Sequence, residues 1–579
     1  RSAVVERAEE LPTESVPANR RLGRRARLGR WRASQKITYS QTPDLYGSPP
    51  APAVGVRTTR EREGRGRGRV HRLHSTLMPS SRTFRYSTYG DAVRLLQSLA
   101  ASAPHLTDLS TTQSLFGLST AGTCVSADGS RGPCLNYVLQ ITNKATYTSS
   151  RPEVLISGAL HGDERVGVVT ALELCRWLVE RYHHDEWVKR LVDTRNVLIM
   201  PMTNAIGVAQ KTRAENGIDP NRDFPFDQSP SLCMQTIAAR SVNELYRSHL
   251  LQLVVTFHGG MQAIGYEWGA YPYYYSGSAH RSPDDNMMRQ ISSVLSSFAG
   301  SGNVPGNRPY PNAPMNDLVY PVHGGMEDWG YAASWDRGKV RTCNPRTYGG
   351  YPQAKTSYGD GDARAFTVLV ETSDSKAPYE GSLGAESGVY MPGSAGDGHV
   401  PRNMRLALAA IDLVQPYVSA WQVATANPAP NVVCVSWSVW GAIVVEEAAI
   451  LRRDSPSSPW TVADLADGHG QAVTKLAQGV WGASSSPMRP VVKTDCVTLG
   501  LHAKGSAELA VRARVDPSWG HAPASKFAPG TGPQSHLAKS RAAGYSSKVG
   551  THTLSSRLEW MSQPLLANAS SFKHFRRHN

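Results

Sequence analysis

Residue types that bind zinc stand at the ends of largely apolar runs in the middle of this 579-residue chain. His161 and Glu164 come just after the run 154–160, and His258 comes directly after the run 251–257. Zinc catalysis needs three protein ligands of the histidine or carboxylate type and one open position for water. A close histidine–glutamate pair with a distant second histidine supplies such a set, so these three residues are candidate zinc ligands.

A further acidic residue occupies the corresponding place after another apolar run. Glu371 directly follows the run 365–370. If these runs are parallel strands, their carboxyl ends converge on one edge of a sheet, which is where open α/β sheets bind ligands. We therefore expect Glu371 to lie beside the three candidate ligands.

The elements that must position these residues follow from the spacing of apolar side chains. Continuous apolar runs that alternate with segments of helical period favour an α/β domain with a largely parallel sheet. After Pro428 the pattern changes to short strands with turns between them, which predicts a small β-rich domain over 428–520. Helical spacing predicts helices near 89–99, 165–182, 236–250, 284–299 and 401–420, and further strands are predicted near 137–141 and 196–200.

The basic character of the chain lies at its two ends. The net charge is +15, but residues 1–82 hold 18 lysines and arginines against 7 acidic residues, and residues 521–579 hold 8 against 1. Neither end has a sustained apolar period, so we expect 1–83 and 521–579 to be disordered. The centre is close to neutral in sum, and no specific nucleic-acid partner is predicted; RNA binding by the basic ends is at best an accessory role.

Membrane insertion and a cysteine framework are both disfavoured. No run of about 18 apolar residues occurs, so we expect no transmembrane segment. The chain starts at Arg1 without an apolar signal-like segment, and secretion cannot be inferred from its start.

Seven cysteines without a CxxC pair make a disulfide scaffold and a thiolate zinc site unexpected. Cys124 and Cys134 flank a turn and could form a disulfide or remain buried thiols, and the odd total leaves at least one cysteine unpaired.

Five motifs resemble those of the zinc carboxypeptidases in order and approximate spacing. The similarity runs from about residue 84 to 420 and is closest to the carboxypeptidase N/E branch. It implies an α/β catalytic domain over 84–422 with a mixed, largely parallel sheet and helices on both faces. Because that branch carries a transthyretin-like β-sandwich after its catalytic domain, the β-rich segment 428–520 would be transthyretin-like. The motifs are His161-Gly-Asp-Glu164, Asp219-Pro-Asn-Arg222, Phe257-His258-Gly-Gly, Tyr320 to Trp329, and Val370-Glu371.

The resemblance gives the metal site and the catalytic residues their roles. His161, Glu164 and His258 would hold one zinc ion per chain, which would polarise a water molecule and the scissile carbonyl. Glu371 would be the general base that takes the proton of the water and passes it to the leaving amine. Arg213, eight residues before the Asn221-Arg222 pair, resembles the arginine that stabilises the developing oxyanion. Lys211 is the alternative for that role.

The remaining motif residues would bind the substrate. Asn221 and Arg222 resemble the pair that grips the terminal carboxylate, for which a planar guanidinium is suited. Tyr320 resembles the tyrosine that covers the bound substrate end. Glu327 falls where the family places a residue of the pocket for the last side chain, and an acid there would favour C-terminal Lys or Arg. Glu267 is a second acidic candidate.

The sequence therefore predicts a zinc-dependent carboxypeptidase that removes the C-terminal residue from peptides or proteins and acts as a monomer. The resemblance favours an extracellular or secretory-pathway location. Two alternatives stay open: a related zinc amidohydrolase that acts on small N-acyl amino acids, and a catalytically inactive peptide-binding homologue. The Asn221-Arg222 pair disfavours the first, and the presence of all three ligands with Glu371 disfavours the second.

Overall fold

A computed structural model describes most of the chain between Ser81 and Val515. The predicted disordered segment 1–83 lies outside the described residues except for its last three. The described residues are 81–147, 151–359, 362–363, 365–414, 417–423, 432–440, 445–455, 457–476, 491–499, 507–515, 559–561 and 565–567.

An eight-stranded mixed sheet organises the central part of the chain. Numbered in chain order, the strands lie side by side as β1 (Thr107–Thr111), β4 (Tyr137–Ile141), β6 (Asn196–Met200), β5 (Glu153–Gly158), β7 (Leu251–His258), β12 (Phe366–Ser373), β8 (Met261–Tyr266) and β11 (Asn312–Pro314). The parallel pairs are β6 with β5, β5 with β7, β7 with β12, and β8 with β11, whereas β1–β4, β4–β6 and β12–β8 are antiparallel. Two small hairpins are formed by β2 (Thr123–Val125) with β3 (Arg131–Pro133), and by β9 (Tyr274–Tyr275) with β10 (Ser278–Ala279).

Helices cover both faces of this sheet, as expected. The helices are α1 (Tyr89–Ser102), α2 (Thr112–Phe116), α3 (Arg165–Glu180), α4 (Glu186–Thr194), α5 (Ala205–Gln210), α6 (Ile237–Ser248), α7 (Asp285–Ala299), α8 (Met315–Leu318), α9 (Met326–Ala332) and α10 (His399–Leu413). On one face of the sheet, Leu155 and Val254 belong to a buried cluster with α6 and α9. The neighbouring Val154, Ile156 and Val255 point to the opposite face, where α3 and α10 pack. The predicted α/β architecture with a largely parallel sheet is therefore confirmed.

The closing helix is shorter than predicted. We expected a helix over 401–420, but α10 ends at Leu413 and the chain forms a strand, β13 (Tyr417–Val423). Pro416 stands between them in the sequence, and a proline disfavours helical backbone at the residue before it. The strand β13 pairs with β14 (Val432–Trp440), so the predicted domain boundary at 422 falls inside a strand.

The described residues after β14 form further strands, in agreement with the predicted β-rich composition of this region. Two short strands also lie within 521–579, which we expected to be disordered. The strands are β15 (Val445–Arg453), β16 (Thr461–Val462), β17 (Val473–Lys475), β18 (Val491–Thr498), β19 (Ala507–Val515), β20 (Glu559–Met561) and β21 (Leu565–Ala567). The strands β13, β14 and β18 form a three-stranded sheet, and the others form a six-stranded sheet built on β15 and β19. The transthyretin-like identity of this region stays a prediction.

Disulfides join six of the seven cysteines. Of the two alternatives for Cys124 and Cys134, the structure has the disulfide, and further bonds join Cys233 to Cys343 and Cys434 to Cys496. Cys175 is the expected unpaired cysteine and is fully buried in α3. None of the described helices is both long enough and apolar enough to span a bilayer.

Candidate active site

Three side chains that could bind a metal meet at the carboxyl ends of β5 and β7. His161 lies three residues after β5, Glu164 immediately precedes α3, and His258 is the last residue of β7. Because β5 and β7 are parallel neighbours, the two segments end at the same edge of the sheet. One ligand atom of each residue lies within 4.8 Å of the others, and each residue is only 2% exposed. The three predicted ligands are thus brought together.

The donor atoms of this group suit a zinc ion. The Nδ1 atoms of His161 and His258 are 3.1 Å apart, and each lies 3.0 Å from a carboxylate oxygen of Glu164. Burial by itself would raise the pKa of Glu164, but hydrogen bonds to His161 and His258 lower it well below its ordinary value. A buried, ionised carboxylate facing two imidazole nitrogens is a donor set of the kind that zinc binds.

Asp219 orients the first ligand, a role that the sequence analysis did not assign. Its Oδ1 lies 2.9 Å from Nε2 of His161 and also accepts a hydrogen bond from the backbone of Asn221 at 2.9 Å. Because an ionised carboxylate only accepts hydrogen bonds, Asp219 favours a proton on Nε2, and a neutral ring in that tautomer has Nδ1 available for a metal. The signal that could have found Asp219 is its place in the Asp219-Pro-Asn-Arg222 motif.

Glu371 lies beside the metal-binding group, as expected. It stands on β12 directly opposite His258 in the neighbouring parallel strand β7. Burial raises the pKa of Glu371 to about 7, and the electrostatic effects of His258 and Arg213 counteract this rise only in part. Its Oε2 atom is buried and has no hydrogen-bond partner among the described residues. The carboxylate is therefore free to exchange a proton with a molecule bound at this edge.

Of the two residues considered for the oxyanion role, Arg213 contacts the group and Lys211 does not. Its Nη1 lies 3.2 Å from Oε1 of Glu164, and its Nη2 lies 2.9 Å from Oδ2 of Asp219. Lys211 ends α5 in left-handed backbone conformation and is exposed. The guanidinium of Arg213 thus places a positive charge next to the metal-binding atoms.

The predicted carboxylate-binding pair lies in a 3-10 turn, Pro220–Arg222, that is capped by the side chain of Asp219. The Oδ1 atom of Asn221 accepts a hydrogen bond of 2.8 Å from the backbone of Met326, at the start of α9. Nη2 of Arg222 lies 3.5 Å from the hydroxyl of Tyr320, which is 57% exposed. The structure therefore brings Arg222 and Tyr320 together at the surface.

The two acidic candidates for a specificity pocket lie in different surroundings. Glu327 is buried in the first turn of α9, and its Oε1 lies 3.3 Å from Nδ2 of Asn221. Glu267 is fully buried and accepts a hydrogen bond of 3.0 Å from Ser282. Burial raises the pKa of Glu267 well above its ordinary value, with the nearby Asp284 adding to the effect. Glu327 is the acid in contact with the predicted substrate-binding pair.

Comparisons with known proteins agree with these features. Residues 93–355 match the family model described as zinc carboxypeptidase. Carboxypeptidase SOL1 of Arabidopsis thaliana is 27% identical over 204 residues, which are 34% of this chain and 40% of that protein. Human carboxypeptidase D is 29% identical over 223 residues, 34% of this chain and 15% of that protein, so the match spans less than half of either relative. The solved carboxypeptidase A from Helicoverpa armigera is 16% identical with a TM-score of 0.38, over 56% of this chain and 74% of that chain.

Proposed function

Because residues 93–355 belong to the zinc carboxypeptidase family, we propose that this protein removes the C-terminal residue from peptides or proteins by zinc-dependent hydrolysis. The observation that carries the proposal is the buried group of His161, Glu164 and His258, linked through Asp219 to the turn that holds Arg222. A metal site next to a guanidinium that can bind a carboxylate is what an exopeptidase acting on carboxyl termini requires.

The metal and the general base share the hydrolytic step. A zinc ion held by His161, Glu164 and His258 would supply a Lewis acid for the water molecule and the scissile carbonyl. Glu371 accepts the proton that the water loses as it attacks, and then donates it to the leaving amine. Its burial and its unpaired Oε2 support this role, because no other group of the described residues competes for that oxygen.

Arg213 stabilises the negative charge that develops on the carbonyl oxygen. Its guanidinium is held within 3.2 Å of both Glu164 and Asp219, so its charge is already oriented before the reaction begins. Preoriented charge of this kind lowers the barrier because little reorganisation is needed during the step.

The substrate tail binds at the 3-10 turn. Arg222 and Asn221 hold the terminal carboxylate, the guanidinium by paired hydrogen bonds. Tyr320 then covers the bound end, and its exposure and its contact with Arg222 support this role. Glu327 accepts the positive side chain of a C-terminal Lys or Arg, supported by its burial and its contact with Asn221.

The same proposal places the protein in the secretory pathway or outside the cell. Three disulfides join six cysteines of the described residues. Disulfides persist in oxidising compartments and are rare where thiol reductants are abundant.

The proposal is tested with hippuryl substrates that end in Arg, Lys or Phe. The E371Q variant is the blank, and zinc content is measured on the wild type and on E371Q. We expect about one zinc per chain in each, cleavage of the Arg and Lys substrates by the wild type, and a loss of about 10³-fold in E371Q. N-acetyl-aspartate serves as the substrate of the amidohydrolase alternative. Turnover of N-acetyl-aspartate without hippuryl cleavage would overturn the proposal, and so would zinc binding without any hydrolysis.

The proposed preference for basic residues is tested by E327Q. Removing this buried charge should reduce the ratio of kcat/KM for the Arg substrate over the Phe substrate about tenfold, because the cationic side chain loses its partner. E267Q is the matched control, since Glu267 contacts Ser282 and not the substrate-binding pair. An unchanged ratio in E327Q would remove Glu327 from this role.

A further inference from the structure

The loop after β12 places a lysine against the metal-binding group. Nζ of Lys376 lies 3.6 Å from Oε1 of Glu164 and 2.8 Å from Oδ2 of Asp163. Its side chain is 38% exposed, whereas that of Glu164 is 2% exposed. A cation therefore lies next to a candidate ligand, on an oxygen that Arg213 also contacts.

The position of Lys376 is determined by its backbone. The carbonyl of Lys376 accepts a hydrogen bond of 2.8 Å from the backbone of Arg165, the residue after Glu164. A Cβ built on Gly259 would lie 3.5 Å from Cα of Lys376, and one built on Gly260 would lie 3.8 Å from its Cγ. The lysine therefore lies next to the glycines that follow His258, and its backbone is hydrogen-bonded to the residue that follows Glu164.

The charge of Lys376 repels a divalent cation bound at this site, and this repulsion weakens metal binding. It also leaves the bound metal less compensated by negative charge, and a more positive metal is a stronger Lewis acid. Asp163 partly neutralises the lysine and so acts in the opposite direction.

We propose that Lys376, held by Asp163, is a positioning residue that tunes the metal through Glu164: it lowers the affinity for zinc and raises the Lewis acidity of the bound ion. This inference rests on the proposed zinc site. It assigns to the Asp163–Lys376 ion pair a function beyond holding the loop.

The test is the zinc affinity of metal-depleted protein, measured by competition with a fluorescent chelator at fixed pH and ionic strength. K376M removes the charge and keeps an unbranched stem against Gly260. We expect it to bind zinc about tenfold more tightly than the wild type, a change equal in size but opposite in sign to the smaller losses found when residues that support metal ligands are replaced. K376R keeps the charge and should bind zinc within about twofold of the wild type. With saturating zinc, K376M should lose kcat with little change in KM.

The direction of the change separates tuning from structural support. If Lys376 only held the loop, its replacement would weaken zinc binding, because Glu164 would be misplaced. D163N leaves Lys376 without its carboxylate, so zinc should bind less tightly. This second variant keeps the inference falsifiable if K376M does not fold, because tighter binding in D163N would contradict it. Unchanged or weaker binding in K376M, or tighter binding in D163N, overturns the inference. A wild type that binds no zinc would instead overturn the proposed function.

Discussion

At the scale of single residues, the site is organised by carboxylates that contact more than one partner. Asp219 accepts hydrogen bonds from the ring of His161 and from the backbone of Asn221, and it also pairs with Arg213. Burial alone would raise the pKa of Asp219, but its hydrogen bond to His161 and the positive charges near it lower it well below the ordinary value. One side chain thus joins the orientation of a proposed ligand to the turn that holds the proposed carboxylate-binding residues.

The consequence at this scale is testable with D219N. The amide that this variant introduces can present its NH₂ group to Nε2 of His161. The contact then no longer favours the tautomer that leaves Nδ1 free for a metal. We expect zinc affinity to fall about tenfold or more, as is found when partners of metal-ligating histidines are replaced. The measurement is chelator competition on metal-depleted protein. E186Q, a change of the same kind at an exposed acid that pairs with Arg190 on α4, should leave zinc affinity unchanged.

At the scale of elements, the loop with Tyr320 is held against the turn with Arg222 by close backbone contact. Gly324 has φ of +66°, and a Cβ built there would lie 2.3 Å from the carbonyl oxygen of Arg222. The backbone of Phe224 donates a hydrogen bond of 3.1 Å to the carbonyl of Gly324. Only glycine combines this backbone conformation with this approach, so the position of the Tyr320 loop depends on one residue without a side chain.

G324A should therefore displace the Tyr320 loop from Arg222. We expect the KM for hippuryl-Arg to rise about tenfold, because the terminal carboxylate loses a well-placed cover, with a loss of stability of about 1–3 kcal/mol from the strained backbone. Steady-state kinetics and urea unfolding measure the two effects. The control is G338A, where an added Cβ meets no atom within 4 Å. Equal behaviour of the two variants would contradict this account of the loop.

At the scale of the whole molecule, the disulfides close loops of very different length. The bond between Cys233 and Cys343 spans 110 residues of sequence, whereas that between Cys124 and Cys134 spans 10. All four cysteines are buried. A cross-link that closes a longer loop removes more conformational entropy from the unfolded chain.

Removal of the long-range disulfide should consequently cost more stability. In the loop-entropy relation, C233A/C343A loses about 2 kcal/mol more than C124A/C134A. Since both double variants replace two buried cysteines with alanine, the difference between them reports mainly on loop length. Urea unfolding followed by tryptophan fluorescence is the measurement. A larger loss in C124A/C134A would show that strain or packing, and not chain entropy, determines the contribution of these bonds.

Sequence patterns predicted the elements that carry the site but missed others. The strands β5, β7 and β12 are continuous apolar runs, and such runs are buried whatever their partners are. The strand β8 escaped prediction because it begins only three residues after His258, in a segment of mixed polarity that follows two glycines. It pairs antiparallel with β12 in the interior of the sheet, an arrangement that depends on long-range contacts.

The sequence by itself determined which residue types stand at the carboxyl ends of the buried strands, because apolar periodicity is a local property and strand ends follow from it. It therefore indicated His161, Glu164, His258 and Glu371 as neighbours. Only the tertiary structure decided which atoms face each other: Arg213 and not Lys211 beside Glu164, Asp219 on His161, and Lys376 next to both Asp163 and Glu164. These contacts join residues up to 213 positions apart, and their distances depend on how the loops pack against one another, which no local pattern encodes.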